Sequence, residues 1–362
     1  MHVAVEATRL LAEKRGIGRY VRNVLAAMPE VQPDIRYTLY AKPRDVNGLR
    51  QHLRSLPTVA ERSTVEPVAS LRSTNADLAW HAWNWILRPS DNVPMVVSIM
   101  DLVPMLQFDH RWWKFLKRSK ARRRSMTTVQ RASRILTISE FTAHEVTRLL
   151  GVQPSKMRVT LLAADDFEST VQDRSETLDR LGIDGPFFLA VGAQEARKNL
   201  IVLFRAMQRL HDEGMRVPLV LCGPGRTLEA FARTHNAPWI RFAGYVSDTE
   251  LATLYARTTA LVFPSKYEGF GLPVLEAMSA GAPVICANAS SLPEVAGDAA
   301  LYFDALDDAA LAAQMKRIVD DGAVRTALVE RMPAQVAKFS WSKCAAETLA
   351  GFEEGIAVGR VR

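Results

Sequence analysis

The chain has 362 residues, 48% of them hydrophobic and 23% charged, with a formal net charge of +7. That length suits two domains of about 150–180 residues each, and the composition excludes a disordered chain, while no apolar run approaches the ~18 residues of a membrane span. The basicity is local: Arg111, Lys114, Lys117, Arg118, Lys120, Arg122, Arg123 and Arg124 follow one another without an acidic residue, and setting those eight aside leaves 38 basic against 39 acidic residues.

In chain order, Met1-His2-Val3-Ala4-Val5 enters a strand at once, without a basic leader and a long apolar stretch, so no signal peptide is expected. Short β-rich runs predict strands at Val3–Ala7, Tyr37–Ala41, Leu78–His81, Met95–Met100, Arg134–Ile138 and Val159–Leu162. In the second half they fall at Phe187–Val191, Leu219–Cys222, Ile240–Ala243, Ala260–Phe263, Val284–Ala287 and Leu301–Phe303. Helical spacing fills the gaps, as in Leu200, Phe204, Met207 and Leu210, or Leu272, Leu275, Met278 and Ala282. Strands alternating with helices imply an α/β chain with parallel sheets covered on both faces. The pattern occurs twice, on either side of a polar break at Asp165–Gly185. The expected division is a first domain over 1–165, a linker over 166–185, a second domain over 186–345 and a C-terminal helix over 346–362 packing back on the first domain. Cys222, Cys286 and Cys344 are odd in number and scattered, which predicts reduced, buried thiols and a reducing compartment.

In open parallel sheets ligands gather at the carboxyl ends of strands, where loops lead into helix N-termini. The first such loop, Arg15-Gly16-Ile17-Gly18-Arg19-Tyr20, is only a fragment of a dinucleotide fingerprint, lacking its third glycine and acidic partner. His81, in Trp80-His81-Ala82-Trp83-Asn84-Trp85, either lines a ligand or sits satisfied in an aromatic cluster. Asp101, in Met100-Asp101-Leu102-Val103-Pro104, either orients or deprotonates a hydroxyl or caps a turn. The basic run interleaves Trp112, Trp113, Phe115 and Leu116 with its cations. It suits a membrane interface best, with a nucleic-acid surface and a solvated helix as the other readings.

In the second half, Val191-Gly192-Ala193-Gln194-Glu195-Ala196-Arg197-Lys198-Asn199-Leu200 places Arg197 and Lys198 at a helix start, as a solvated cap or as cations for an anion. Pro264-Ser265-Lys266-Tyr267-Glu268-Gly269-Phe270-Gly271-Leu272-Pro273 links a strand to a helix whose first turn tolerates Pro273. Gly269 and Gly271 let backbone approach a ligand, and the positive helix end suits a phosphate. Glu268 and Glu276 would repel that phosphate, so they read as acceptors for sugar hydroxyls, or else as ordinary junction carboxylates. The pairs Asp165-Asp166, Asp307-Asp308 and Asp320-Asp321 read as helix surface, and no His, Cys and carboxylate set has metal-ligand spacing, so no metal is expected.

The stretch PSKYEGFGLPVLEAMSAGAPVI, together with RFAGYVSDTELATLYA before it, SSLPEVAGDAAL after it and the closing FSW, resembles the retaining nucleotide-sugar glycosyltransferase family 4. The resemblance extends over nearly the whole chain. It implies the GT-B fold, two facing Rossmann-like domains with a cleft between them. It implies that Glu268 contacts hydroxyls of the transferred sugar and Glu276 the donor ribose, that Phe270, Gly271 and Leu272 hold sugar and phosphate through their backbone, and that Tyr245 and Val246 border the base. Lys198 and Arg197 match the family's basic segment at the diphosphate, and Gly16 and Gly18 match its phosphate loop. Asp101 matches a His-Asp-Leu-x-Pro turn in which Met100 replaces the histidine, and Ala193 stands where relatives often have Arg. The implied activity is retaining, metal-independent hexosyl transfer without a cofactor, with mannose from GDP-mannose as the expected donor. The acceptor would be a glycan or lipid-linked oligosaccharide of a cell-surface polysaccharide such as lipopolysaccharide. His81 and the residues Arg111, Trp112, Trp113, Lys114, Lys117, Arg118, Arg122, Arg123 and Arg124 are assigned to the acceptor side or to an anionic inner membrane face, which makes the expected location cytoplasmic and peripheral, with no nucleic-acid partner. A GT-B epimerase or phosphorylase, a basic nucleic-acid binding protein and a catalytically idle scaffold are the competing readings.

Overall fold

In the computed structural model, residues 1–11, 16–106, 114–165, 175–192, 195–223 and 237–360 are described. They divide into two units, the first made of Met1–Ala163 with Phe339–Arg362 and the second of Ala164–Lys338.

Unit 1 is built on a sheet of seven strands: β1 (His2–Glu6), β2 (Arg36–Ala41), β3 (Ser63–Pro67), β4 (Leu78–His81), β5 (Met95–Ile99), β6 (Arg134–Thr137) and β7 (Met157–Val159). Their order is β3-β2-β1-β4-β5-β6-β7, and every pairing is parallel. The central strands β1, β4 and β5 are buried apart from the first residues of β1 and β5, since helices cover both faces, and their sequences are accordingly mostly apolar runs. Two expectations fail here. β3 was not among the predicted strands because it is an edge strand in which only Val65 is buried, so no apolar run marks it. The last strand lies at Met157–Val159 rather than Val159–Leu162, because it pairs with Ile135–Thr137 in a register that ends at Val159.

The helices of unit 1 include α1 (Ile17–Val31), α2 (Val46–Leu53), α3 (Pro57–Ala60), α4 (Lys114–Arg131) and α5 (Glu140–Leu150). α5 is capped by Ser139, whose Oγ accepts from Thr142 N, and ends at Gly151 in the left-handed conformation. Unit 2 holds α6 (Ser175–Arg180), α7 (Leu200–Asp212), α8 (Asp248–Arg257), α9 (Leu272–Ser279), α10 (Leu292–Ala296), α11 (Asp308–Asp320) and α12 (Gly322–Val336). The chain then returns to unit 1 as α13 (Trp341–Arg360), against α1 and the sheet. Gly351, Gly355 and Gly359 recur every fourth residue on α13, and at each the space for a Cβ is already filled, by Leu136, Val96 and Pro94 respectively. Small residues at this spacing let the helix backbone lie close on β5 and β6. Phe352 meets Trp80 edge-on at 5.5 Å, and Glu354 pairs with Arg134 and Arg158, each at 2.5 Å.

The sheet of unit 2 has six strands: β8 (Phe188–Val191), β9 (Leu219–Cys222), β10 (Ile240–Gly244), β11 (Ala260–Phe263), β12 (Val284–Ala287) and β13 (Ala300–Phe303). They run parallel in the order β10-β9-β8-β11-β12-β13, the doubly wound order. Two of the acidic pairs supply helix caps: Asp307 accepts from Ala310 N and Asp321 from Ala323 N and Val324 N, while Asp308 pairs with Arg209 at 2.5 Å; Asp166 lies outside the described residues. Cys222, Cys286 and Cys344 are buried and in no disulfide, and burial pushes the Cys344 thiol up to about 12. Among the described residues no helix is long and apolar enough to cross a membrane.

Candidate active site

The two loops that the sequence singles out in unit 2 leave the carboxyl ends of β8 and β11, the neighbouring strands at which the order of the sheet reverses. Connections from such a pair run off to opposite sides and leave a crevice between them, the usual ligand position in a doubly wound sheet.

The loops are laced together by backbone. Lys266 N donates to Arg197 O at 2.8 Å, and the buried Asn199 amide donates to Pro264 O at 3.1 Å and to Ala305 O at 2.6 Å. Asn199 has a left-handed backbone, with φ 56°, which asparagine tolerates better than most residues and which turns the chain sharply from the Ala196–Lys198 turn into α7. Gly192 at the end of β8 leaves the room that the Lys198 side chain takes: a Cβ there would lie 3.3 Å from Lys198 Cε.

Held in this way, Arg197 and Lys198 both reach Glu268. Arg197 Nη1 lies 2.7 Å from Glu268 Oε2 and Lys198 Nζ 2.7 Å from Oε1, so each cation takes one carboxylate oxygen. Arg197 also donates from Nε to Glu195 Oε2 at 2.7 Å and from Nη1 to Tyr267 O at 3.1 Å, and Lys198 Nζ lies 4.7 Å from the centroid of the Phe263 ring. Glu268 is 8% exposed. Burial alone would raise its carboxyl, but Lys198 and then Arg197 more than reverse this and hold it below the usual carboxylate range. The cluster is thus ionised, largely desolvated and close to electrically balanced. Such charges interact more strongly than they would in water, and an anion that displaced a carboxylate here would meet cations already in position.

The loop that carries Glu268 is fixed from behind by residues the sequence reading quoted without assigning them a role. Glu268 N donates to Ser290 Oγ at 3.0 Å, and Ser291 Oγ lies 3.0 Å from Glu268 O and 2.7 Å from Phe270 O. The Glu268 N–H is therefore taken up internally rather than free for a ligand. Gly271 is required by the fold: its φ is 105°, and a Cβ would lie 2.8 Å from Leu292 Cδ2. Phe270 is buried and Leu272 half-buried at the start of α9. One turn along that helix the buried Glu276 accepts from Tyr255 OH at 3.1 Å. After Gly244 at the end of β10, Tyr245 is exposed, whereas Val246 is buried. Ser247 then opens α8 with a reciprocal capping box to Glu250. Ala193, where relatives often carry Arg, lies outside the described residues.

The other predicted site residues belong to unit 1. Gly16, with φ 60°, is exposed at the start of α1, and Gly18 is buried inside that helix. Asp101 Oδ1 accepts from Val103 N at 3.2 Å, the turn-capping contact. Met100 is buried, and its N–H donates to Asn84 Oδ1 at 2.6 Å. His81 ends β4, one of the two neighbours at which the order of this sheet reverses, and is fully buried, with neither ring nitrogen hydrogen-bonded among the described residues. Burial pushes its pKa down to about 4. It therefore lies in the core rather than lining a ligand, and among the described residues it lacks the partner of a satisfied core histidine. In the basic run, Arg111, Trp112 and Trp113 lie outside the described residues, as does the side chain of Lys114, while Lys117, Arg122, Arg123 and Arg124 are exposed on α4. Arg118 is half-buried and donates from Nε to Met105 O at 3.3 Å. Among the described residues no three His, Cys, Asp or Glu side chains group as metal ligands.

A family model, Glycosyl transferases group 1, matches residues 173–335, the body of unit 2. Over 233 residues the chain is 37% identical to the O-antigen chain mannosyltransferase B of Escherichia coli, an alignment that covers 61% of this chain and 61% of that protein. It is 31% identical over 281 residues to the serotype-specific mannosyltransferase WbdA of Escherichia coli, covering 73% of this chain and 34% of that one. The chain thus spans less than two thirds of the length of these curated relatives. Among solved structures, sucrose-phosphate synthase from Thermosynechococcus elongatus superposes with a TM-score of 0.77 at 18% identity, over 99% of each chain. Anabaena HepE in complex with UDP and glucose gives 0.71 at 17% identity, over 97% of this chain and 99% of that one. This chain therefore carries, over residues 173–335, a glycosyl transferases group 1 domain, and its two parallel sheets have the GT-B fold.

Proposed function

We propose that this protein is a retaining hexosyltransferase that uses a nucleoside-diphosphate sugar, GDP-mannose being the donor we favour. The acceptor is a glycan or lipid-linked oligosaccharide destined for a cell-surface polysaccharide. The observation that carries the reading is the pairing of Lys198 and Arg197 with the two oxygens of Glu268 at the switch point of the second sheet. The printed names of the relatives, mannosyltransferases of O-antigen chains, support mannose and the polysaccharide class.

In this reading the Glu268 carboxylate keeps two cations ordered until the donor arrives. The diphosphate then takes Lys198, and Arg197 with it, and releases Glu268 to accept hydrogen bonds from hydroxyls of the sugar. Glu276, held by Tyr255, accepts from the ribose hydroxyls. As the bond between the anomeric carbon and the phosphate oxygen breaks, negative charge grows on the leaving diphosphate. Lys198 and Arg197 stabilise that charge, the part a metal ion plays in other transferases, and the transfer we propose is metal-independent. The acceptor hydroxyl attacks the same face of the sugar, and its proton passes to the departing phosphate oxygen. Asp101 of unit 1 is the group we assign to the acceptor, whereas the fully buried His81 is too enclosed to meet it.

Incubation with GDP-mannose and a mannose-terminated acceptor, followed by NMR of the product, tests the mechanism: the anomeric configuration of the donor is expected to persist, at a rate unchanged by a chelator. An inverted product excludes it. Release of free sugar nucleotide epimer or of sugar phosphate without an acceptor would instead favour the epimerase or phosphorylase reading.

A further inference from the structure

We infer that the outward face of α4 is a docking surface for an anionic lipid membrane. The inner face of the helix is fixed. Ala121, Ser125, Thr128 and Val129 are buried, Trp85 Nε1 donates to Ser125 Oγ at 3.1 Å, and Ile86 N donates to Thr128 Oγ1 at 3.1 Å. A helix anchored this way cannot roll, so its other face stays turned to solvent. That face carries Lys117, Lys120, Arg122, Arg123 and Arg124, all exposed, and α4 contains no Asp or Glu. The described ion pairs of the protein take up cations elsewhere, at Arg134, Arg158, Arg197, Lys198 and Arg209, whereas among the described residues no carboxylate pairs with these five.

Unpaired cations on a helix repel one another, an arrangement that destabilises the isolated protein and is relieved by an anionic partner. Two features choose lipid over nucleic acid. Leu116, beside Lys117, is 73% exposed, and Leu87 with Arg88 stands exposed two residues beyond Trp85, whose ring lies 5.9 Å from the Arg124 guanidinium carbon. Aliphatic side chains among cations enter the acyl boundary while the cations meet headgroup phosphates. The described part of this face also offers no exposed aromatic ring for base stacking, since Trp85 is half-buried with its N–H committed to Ser125. The inference concerns a surface of unit 1 and stands apart from the donor chemistry of unit 2.

Co-sedimentation of the full chain with vesicles, without donor or acceptor, tests it. We expect binding to vesicles of phosphatidylglycerol and phosphatidylcholine in equal parts and none to pure phosphatidylcholine. Binding should disappear at about 1 M salt, where the screening length is ~3 Å. Lys117→Ser, Lys120→Ser and Arg123→Ser combined should weaken it about 100-fold, from about 1 kcal/mol for each basic residue near the surface. A variant with Lys117→Arg, Lys120→Arg and Arg123→Lys should bind as the parent does, and the melting curves of both should match the parent's. Equal binding to pure phosphatidylcholine, or undiminished binding by the serine variant, overturns the proposal. So does tight binding of short single-stranded DNA by a protein that ignores the anionic vesicles, which would assign the face to nucleic acid.

Discussion

Lys198 Nζ stands 2.7 Å from Glu268 Oε1, a cation and a carboxylate from loops 70 residues apart in sequence, on side chains only 12% and 10% exposed. The pair joins a residue expected at the diphosphate to one expected at the sugar, so the two roles share one electrostatic centre. Neither side chain can be changed without altering the surroundings of the other.

Lys198→Ala should therefore lower kcat by about 10²–10³, the usual loss when one preorganised stabiliser of developing charge is removed. The fold should persist, because Arg197 still pairs with Glu268. Lys198→Arg should recover part of the rate. Steady-state kinetics alongside thermal melting check this, and near-parent kcat in the alanine variant would remove Lys198 from the site.

Acid should weaken unit 2 through Glu268. Its carboxyl lies below the ordinary value of 4.5 despite burial, because of Lys198 and Arg197. The stabilisation is complete above 4.5 and is lost as pH falls through the lower folded-state value, where the native carboxylate takes up a proton. Glu268→Gln should therefore show a flatter decline of melting temperature as pH falls below 4.5. Parallel declines in parent and variant would contradict the ion-pair account.

His81 makes the opposite kind of contribution in unit 1. Unfolded, its imidazole protonates near 6.5, whereas burial keeps it neutral down to about 4 in the fold. In that window the unfolded state binds the extra proton. Stability is thus full above 6.5 and declines as pH falls toward 4, by at most about 1.4 kcal/mol per pH unit. Chemical denaturation at a series of pH values should show that slope in the parent and its loss in His81→Phe.

Gly271→Ala should cost stability for two separable reasons. The backbone there is left-handed with φ 105°, a strain of about 1–3 kcal/mol for a residue with a side chain, and the added methyl meets Leu292 Cδ2. Combining it with Leu292→Ala relieves the contact but not the dihedral strain. Calorimetry of the two variants should find unit 2 melting below the parent in both.

The alternation of strands and helices was legible without coordinates because strands covered on both faces must be apolar throughout: β4, β9, β11 and β12 fall where their runs of Leu, Val, Ile and Phe stand. β3 escaped because an edge strand with one buried valine has no such run. The carboxylates and cations of the site were also legible, since they stand in short loops between a strand and a helix, where side chains must face the carboxyl edge.

By itself the sequence determined the α/β class, the loops that bear chemistry and the locality of the positive charge, all of which follow from residue order along short segments. Tertiary structure decided what those residues do to one another. Only a parallel order that sets β8 beside β11 brings Lys198 and Arg197 onto Glu268, Ser290 and Ser291 behind its loop, and Tyr255 onto Glu276. The reason is that electrostatic and hydrogen-bond energies depend on separations of a few ångströms, and strand order sets these between residues far apart in the chain.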